Sequence, residues 1–385
     1  MSANKLRILM VLDSIYPSVG GGGAETQVGT LSEYYQSDGK QVTIVAPMVK
    51  GGVQKSEDLV KGVELCRIPY PKIRLLGGFI MLIRLWNLLA KRRDQYDVIH
   101  VHIAHKMAAI CCLSGFVHKK NVIVKFTGWM ELEHGILAKK QNLFVKLLRY
   151  SINKATFYQA TSKEIISAIK SNGLDENKIK FIPNAVDTSR FSQSDDKLGL
   201  RASLGFENEL IGVFVGRLVT EKNLSSLIKA WTNTFIKQDN VKLLLVGDGY
   251  LKDELTKQVL DCNREKQIIF LGAKLDIKPF LQIADFSVLP SLFEGLSNTL
   301  LEYMSTSLPV IGSKVSGTED LIEDGVNGYL FESGNRSELE EKLKKIASLS
   351  KIEIASMGEN ARSVVTHYAG IESVSSRLCD LYTYK

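Results

Sequence analysis

Apolar runs of strand length alternate with amphipathic segments of helix length along almost the whole chain. In the first half the predicted strands are residues 7–13, 42–47, 98–102, 122–126, 157–161 and 180–183. In the second half they are residues 211–217, 242–247, 268–272, 286–290, 309–312 and 329–331. This alternation is typical of βαβ units, whose parallel strands are buried on both faces of the sheet. The pattern therefore predicts the α/β class.

The two sets of strands predict two Rossmann-like, doubly wound domains of similar size in a chain of 385 residues. We place the first domain at residues 1–190 and the second at residues 204–369, with a polar connection at 192–203. Residues 370–385 have a helical pattern, and we expect them to pack back on the first domain. Because parallel sheets bind ligands at the carboxyl ends of their strands, the domains are expected to face each other across a ligand-binding cleft.

Composition excludes several classes of protein. With 45% hydrophobic and 24% charged residues, the chain is an ordinary globular protein rather than a disordered or fibrous one. Its five cysteines have no C-x-x-C spacing, which argues against a disulfide framework or a thiolate zinc site and favours the reducing cytoplasm. The first apolar run is too short for a signal peptide, and the longest, residues 75–83, is too short to span a membrane.

Charge is divided unevenly between the two halves. Residues 1–190 contain 27 Lys and Arg against 15 Asp and Glu, whereas residues 191–385 contain 22 against 27. A basic half suits nucleic acid, anionic lipid or an anionic substrate, and charge alone does not choose among them. Residues 72–93 contain six basic side chains, no acidic one and a dense apolar set that includes Trp86. This composition is typical of a helix that docks on an anionic membrane; a helix packed on its own sheet is the alternative.

Four consecutive glycines, at positions 20–23, follow the first strand and open a helix that begins near Ala24. Such a turn lets backbone N–H groups and a helix N-terminus approach an anion. The run matches neither the GK[ST] phosphate loop of NTPases nor the G-x-G-x-x-G motif of dehydrogenases. It indicates an anion site of another kind, and a flexible connection without a ligand is the alternative.

Two cations follow the first strand of the second domain. Arg217 ends the run VFVGR, and Lys222 stands five residues later, before a helix that begins near Leu224. Arg offers a planar pair of donors and Lys a compact charge, so this loop suits a diphosphate. A solvated surface pair is the alternative.

Two carboxylates flank a run of small residues after the strand at 286–290. Glu294 lies in the loop, and Glu302 lies eight positions later on a helix. The small residues between them leave backbone N–H groups free for phosphate, while each carboxylate can accept two hydroxyl hydrogen bonds, as sugars require. Together with the two cations, this arrangement predicts a site for a sugar linked to a diphosphate.

These motifs resemble the retaining glycosyltransferases of family 4, which have the GT-B fold. The resemblance covers essentially the full length and is carried by GRLVTEKN, LLLVGDG, FLGAK, ADFSVLPSLFEGLSNTLLEYM, PVIGS and GVNGYLF. It implies that Glu294 contacts hydroxyls of the donor sugar and that Glu302 holds the ribose. Arg217 and Lys222 would hold the diphosphate, which makes them, with Glu294, the expected catalytic residues. Further donor contacts are implied for Gly22, Gly23, Gly216, Ala273, Lys274, Gly295, Leu296, Ser297, Asn298 and Thr299.

The sequence departs from the family pattern in the first domain. Many members have a His after the strand that corresponds to residues 122–126, close to the donor sugar and the acceptor, whereas this chain reads VKFTGWMELEH. Thr127 occupies that place. A hydroxyl can form a hydrogen bond, but it cannot hold a positive charge as His can. Lys125 and His134 are the candidate substitutes on the acceptor side.

The resemblance implies a metal-independent enzyme without a cofactor, which moves a sugar from a nucleotide diphosphate to a hydroxyl of a glycan or lipid-linked glycan. UDP is the first choice of nucleotide and GDP the second, nucleic acid is not an expected partner, and cell-envelope polysaccharide synthesis is the expected setting. We expect the enzyme in the cytoplasm or at the inner face of the membrane. No D-x-D motif offers a Mg²⁺ clamp, and His100, His102 and His105 lack the neighbouring ligands of a metal site. The alternatives are an epimerase or hydrolase on the same fold and a non-catalytic scaffold of a polysaccharide assembly complex.

Overall fold

A computed structural model describes residues 5–17, 22–49, 55–74, 76–128, 131, 135–137 and 143–384. The chain divides into two compact units, Met1–Ala185 with Ile371–Lys385, and Val186–Gly370. The predicted α/β class with two Rossmann-like parallel sheets is confirmed. The first unit ends before residue 190 because the Val186 N–H donates to the Ala369 carbonyl at 2.9 Å, which ties the following segment to the second unit.

The first unit contains an eight-stranded sheet in the order β3-β4-β2-β1-β5-β6-β7-β8. Its strands are β1 Arg7–Val11, β2 Gln41–Val49, β3 Glu57–Val60, β4 Val63–Tyr70, β5 Val98–Val101, β6 Asn121–Phe126, β7 Phe157–Ala160 and β8 Ile179–Phe181. Its helices are Gly23–Ser37, Leu76–Lys91, Lys106–His118, Leu143–Ile152, Lys163–Ser171 and Ile371–Tyr382, with a short 3₁₀ helix at Glu176–Lys178. Alternate residues of β1 enter two separate apolar cores, so both faces of this sheet are covered.

A hairpin formed by β3 and β4 is absent from the sequence prediction. It is the antiparallel part of a sheet whose other neighbouring strands are parallel. Lys61 and Gly62 form its two-residue turn, and both have positive φ, 50° and 81°. Such turns favour Asn-Gly or Asp-Gly, so a Lys-Gly pair gives little local signal for a hairpin.

The second unit contains a fully parallel six-stranded sheet in the order β11-β10-β9-β12-β13-β14. Its strands are β9 Leu210–Val215, β10 Val241–Val246, β11 Ile268–Gly272, β12 Phe286–Leu289, β13 Val310–Lys314 and β14 Gly328–Glu332. Its helices are Lys197–Ser203, Leu224–Thr234, Lys252–Asp261, Lys278–Ile283, Asn298–Ser305, Arg336–Ser348 and Lys351–Ala369, with a short 3₁₀ helix at Thr220–Lys222.

The strand order reverses once in each parallel array. The reversal lies between β1 and β5 in the first sheet and between β9 and β12 in the second. At such a point the connections from neighbouring strands leave in opposite directions, which opens a crevice at the carboxyl edge. The loops after these strands are therefore the first places to look for a site. Within the described parts of the chain, every helix is too short or too polar to cross a membrane.

Candidate functional site

The loop after β9 presents Arg217 at the carboxyl edge of the second sheet. The residues on both sides of Arg217 are hydrogen-bonded to β10 and the loop after it. The Gly216 N–H donates to the Val246 carbonyl at 3.0 Å, and the Leu218 N–H donates to the Asp248 carbonyl at 2.9 Å. The Arg217 residue itself is exposed. An exposed guanidinium thus extends from a backbone that is held at two points.

Lys222 and Glu294 form an ion pair at the reversal of strand order. Lys222 ends the 3₁₀ helix after β9, Glu294 lies in the loop after β12, and Nζ of the lysine donates to Oε1 of the glutamate. The side chains are only 17% and 13% exposed. Ser291 Oγ donates a further hydrogen bond of 2.9 Å to the same oxygen. The structure therefore brings together the cation predicted for the diphosphate and the carboxylate predicted for the sugar.

The helix Asn298–Ser305 begins directly beyond this pair. Its N-cap, Ser297, accepts the N–H of Leu300 at 3.5 Å, and the preceding residues contribute the loop predicted for phosphate. Glu302 lies on this helix, where burial raises the pKa of its carboxyl to about 7, while the charge of Arg190 acts in the opposite direction. A carboxyl with this pKa changes between donor and acceptor states near neutral pH.

Two buried hydroxyl groups that the sequence analysis did not identify hold this region on the sheet. Tyr303 Oη accepts the Val215 N–H at 2.5 Å and so fixes the helix to the end of β9. Ser313 Oγ, from β13, donates to the Ser291 carbonyl at 2.6 Å. Both residues lie in apolar runs of the sequence. Because a buried hydroxyl group needs a hydrogen-bond partner, a Tyr or Ser within such a run is the sequence signal that could have indicated these contacts.

Ala273 and Lys274 follow β11, the edge strand, which β10 separates from β9. Both residues are exposed, and the Lys274 ammonium lies 5.7 Å from the centre of the Phe280 ring. They therefore lie at the same edge of the sheet as Arg217, after a strand that is two positions from β9.

In the first unit, Gly22 precedes the helix Gly23–Ser37, as predicted for the glycine run. The side chain of Glu25 lies over this turn: a Cβ built on Gly22 would come within 2.1 Å of Glu25 Oε2. Ser14 Oγ donates to Glu25 Oε1 at 2.5 Å and fixes that carboxylate. The positive end of the helix therefore faces a carboxylate of the chain itself.

Lys125 is buried within the first sheet rather than exposed at its carboxyl edge, which differs from the expectation for a residue that meets the acceptor. It lies within β6, is 1% exposed, and its Nζ has no hydrogen-bond partner among the described residues. Burial lowers its pKa to about 7. The neighbouring His100 is also buried, with Nδ1 at 2.7 Å from Tyr382 Oη. The other predicted substitute, His134, lies outside the described residues.

Two side-chain pairs at the carboxyl edge of the first sheet were not predicted. Asp13 follows β1, and its Oδ2 lies 3.1 Å from Nδ1 of His105, which precedes the helix Lys106–His118. Thr127, after β6, donates through Oγ1 to Glu131 Oε1 at 2.9 Å. No group of three or more metal-binding side chains occurs in the described part of the chain. The edge offers hydrogen-bonding groups whose orientation is set by carboxylates.

Sequence profiles of two glycosyltransferase families match the chain. The profile described as Glycosyltransferase Family 4 matches residues 21–190, and the profile described as Glycosyl transferases group 1 matches residues 196–364. An uncharacterized glycosyltransferase of Methanocaldococcus jannaschii is 30% identical over 84% of this chain and 88% of its own.

An Escherichia coli relative and a solved structure extend this similarity. The relative, UDP-Gal:alpha-D-GlcNAc-diphosphoundecaprenol alpha-1,3-galactosyltransferase, is 29% identical over 83% of this chain and 81% of its own. The crystal structure of Anabaena HepE in complex with UDP matches 97% of this chain and 99% of its own, with a TM-score of 0.77 at 20% identity.

Proposed function

The chain belongs to the family 4 and group 1 glycosyltransferases, and we propose that it is a retaining hexosyltransferase that takes its sugar from UDP without a metal ion. The resemblance drawn from the sequence motifs is thus confirmed. The observation that carries the finer proposal is the Lys222–Glu294 ion pair at the strand reversal, beside the helix Asn298–Ser305. UDP is favoured over GDP because the E. coli relative is named for a UDP-sugar donor.

In the proposed reaction the acceptor oxygen bonds to the anomeric carbon as the bond from that carbon to the diphosphate oxygen breaks. The acceptor proton moves to the departing phosphate oxygen on the same face, so the configuration is retained and no protein base is needed. Negative charge grows on the leaving diphosphate in the transition state. Arg217 and Lys222 would stabilise that transition state more than they stabilise the bound donor. The backbone N–H groups of Ser297, Asn298 and Thr299 would add to that effect.

Sugar recognition is assigned to the two carboxylates. Glu294 would accept hydrogen bonds from hydroxyls of the transferred sugar, and Glu302, once ionised, from hydroxyls of the ribose. Gly22, Gly23, Gly216, Ala273, Lys274, Gly295 and Leu296 stay proposed donor contacts. The acceptor is proposed to be a glycan or lipid-linked glycan of the cell envelope. In support, the name of the E. coli relative gives a lipid-linked sugar, alpha-D-GlcNAc-diphosphoundecaprenol, for that enzyme.

Nucleotide release from single donors tests this proposal. We expect the protein to release UDP from one UDP-hexose, with no added metal and in the presence of EDTA, when an extract of lipid-linked acceptors is supplied. The anomeric configuration of the product, read by NMR, should match that of the donor. GDP-sugars and ADP-sugars serve as controls.

Other outcomes of that assay point elsewhere. Release that is independent of the extract would favour the hydrolase or epimerase alternative, and absence of release from every donor would favour the scaffold. Loss of turnover in EDTA would contradict metal independence, and an inverted product would contradict the retaining reaction.

Peripheral contact with an anionic membrane is part of the proposal, and exposed apolar side chains support it. On the helix Leu76–Lys91, Phe79 is 61% and Ile83 45% exposed. The helix Leu143–Ile152 exposes Leu143 by 75% and Leu147 by 57%. These apolar groups accompany the basic residues of a domain that carries an excess of positive charge. Apolar insertion together with attraction to anionic lipid is the usual basis of reversible membrane binding.

Cations accompany the exposed rings in this region. The Lys154 ammonium lies 5.0 Å from the centre of the Phe116 ring and 5.1 Å from that of Tyr150. Lys106 lies 5.7 Å from the centre of the Phe144 ring. Basic groups are therefore close enough to the apolar side chains to meet lipid phosphates when the rings enter the bilayer.

Serine in place of both Phe79 and Ile83 should weaken binding to vesicles with 30% phosphatidylglycerol by roughly tenfold or more, because each side chain buried in lipid contributes about 1.5–3 kcal/mol. Flotation with vesicles measures it. The matched control is Ile352→Ser, an 82% exposed apolar residue of the second unit, which should bind as the wild type does. No effect of the double change would remove this membrane contact from the proposal, and equal binding of the wild type to pure phosphatidylcholine vesicles would remove its dependence on anionic lipid.

A further inference from the structure

Glu131 holds a buried carboxylate inside the loop that follows β6. The residue is 3% exposed, and the backbone of the loop donates to both of its oxygens. The Thr127 N–H lies 3.3 Å from Oε1, and the Gly128 N–H lies 3.1 Å from Oε2. The main chain of Glu131 closes the same loop, since its N–H donates to the Gly128 carbonyl at 3.1 Å. This side chain thus organises the first residues after the strand.

The same carboxylate decides which way the Thr127 hydroxyl points. Backbone N–H groups can only donate, so both Glu131 oxygens act as acceptors and the ionised form satisfies them best. Burial raises the pKa of Glu131, and the hydrogen bonds from Thr127 and Gly128 act against that shift. Because a carboxylate has no proton to give, the Thr127 hydroxyl is the donor in the 2.9 Å bond to Oε1.

The hydrogen bond from the Thr127 hydroxyl to Glu131 limits which ligand groups Thr127 can bind. Its oxygen keeps lone pairs that can accept a hydrogen bond, while its own proton is held by Glu131. Thr127 is half-buried and follows β6 immediately, at the carboxyl edge of the sheet and next to β5, which borders the strand reversal. A ligand group that meets Thr127 must therefore supply a proton, as a sugar hydroxyl does.

We propose that Thr127 accepts a hydrogen bond from a sugar hydroxyl of the acceptor or of the transferred sugar, and that Glu131 is its positioning residue. The inference rests on the proposed glycosyl transfer. It gives this chain a different chemistry from a His at the same place, since an imidazolium donates where Thr127 accepts. Groups that only accept hydrogen bonds, such as a deoxyfluoro substituent, are poor partners for it.

Steady-state kinetics of three variants test the pair. Thr127→Val keeps the shape of the side chain and removes the oxygen, so kcat/KM should fall by about tenfold, as loss of a substrate hydrogen bond implies. Thr127→Ser should stay within about threefold of the wild type. Glu131→Gln alone should lower kcat/KM. In the double variant with Thr127→Val, it should lower kcat/KM by less than a further factor of about two, because the two residues act as one unit.

Asp97→Asn is the matched control for loss of a partly buried carboxylate in the same unit. Asp97 accepts the Arg7 N–H at 2.9 Å at the amino end of β1, whereas Thr127 lies after β6 at the carboxyl edge of the same sheet. Asp97→Asn should lower thermal stability and leave kcat/KM close to the wild-type value. Thermal melts of all variants separate a fold defect from a kinetic one.

Each result of this set decides the inference. Wild-type kinetics of Thr127→Val, or losses for Thr127→Val and Glu131→Gln that multiply, would overturn it while leaving the proposed function intact. A wild type that transfers no sugar would overturn both. A raised KM for the donor assigns the hydroxyl to the transferred sugar, and a raised KM for the acceptor alone assigns it to the acceptor.

Discussion

Lys222→Ala is expected to lower turnover at saturating donor by about 10² or more, the magnitude found when a group that stabilises transition-state charge is removed. In the structure Lys222 is the cation paired with Glu294 at the strand reversal, and its side chain is 17% exposed. In the proposed reaction this charge stabilises the leaving diphosphate, and because the side chain is largely buried, the charge is weakly screened by solvent. Initial rates of UDP release at saturating donor and acceptor measure the loss.

Lys252→Ala provides the matched control for this change. Lys252 is a lysine of the same unit that pairs with Asp248 at 3.3 Å, but its side chain is 43% exposed and lies on the helix Lys252–Asp261. Exposed pairs of this kind contribute little, so turnover should stay within about twofold of the wild type. Near-normal turnover of Lys222→Ala would remove Lys222 from the mechanism.

The position of the candidate site in the second unit was predictable because its residues lie in loops that follow buried strands. The apolar runs at 211–217 and 286–290 place Lys222 and Glu294 in loops at the ends of strands, and parallel strands end at one edge of the sheet. The adjacency of β9 and β12 is a property of the strand order, which local periodicity does not contain. The structure supplied that adjacency and, with it, the ion pair.

The first-unit groups could not be predicted from the same signals. Lys125 carries a charge, which normally indicates exposure, yet it is buried on the face of the sheet where His100 meets Tyr382 of the last helix. That helix is remote in sequence, so the pattern of residues around position 125 does not indicate that the helix covers this face. Glu131 was missed for a related reason: its partners are the N–H groups of Thr127 and Gly128, and such contacts leave no periodic pattern in the sequence.

Gly317→Ala is expected to lower kcat/KM for the donor by at least tenfold and to reduce stability by about 1–3 kcal/mol, the cost of a side chain in strained backbone. Gly317 has a φ of +76°. A Cβ there would lie 2.6 Å from the Gly295 carbonyl oxygen and 2.8 Å from Leu296 Cα. Both contacts are backbone, so the loop between Glu294 and the helix Asn298–Ser305 must move. Initial rates at varied donor concentration and thermal melts measure the two effects.

Gly325→Ala separates loop displacement from backbone strain. Gly325 has nearly the same φ, +82°, but a Cβ at that position meets no atom within 4 Å. Both variants carry the strain of a left-handed residue, while only Gly317→Ala presses on the loop beside Glu294. Stability should therefore fall in both variants, and kcat/KM for the donor only in Gly317→Ala. Equal loss of kcat/KM in the two variants would mean that backbone strain, and not the position of the 295–296 backbone, governs use of the donor.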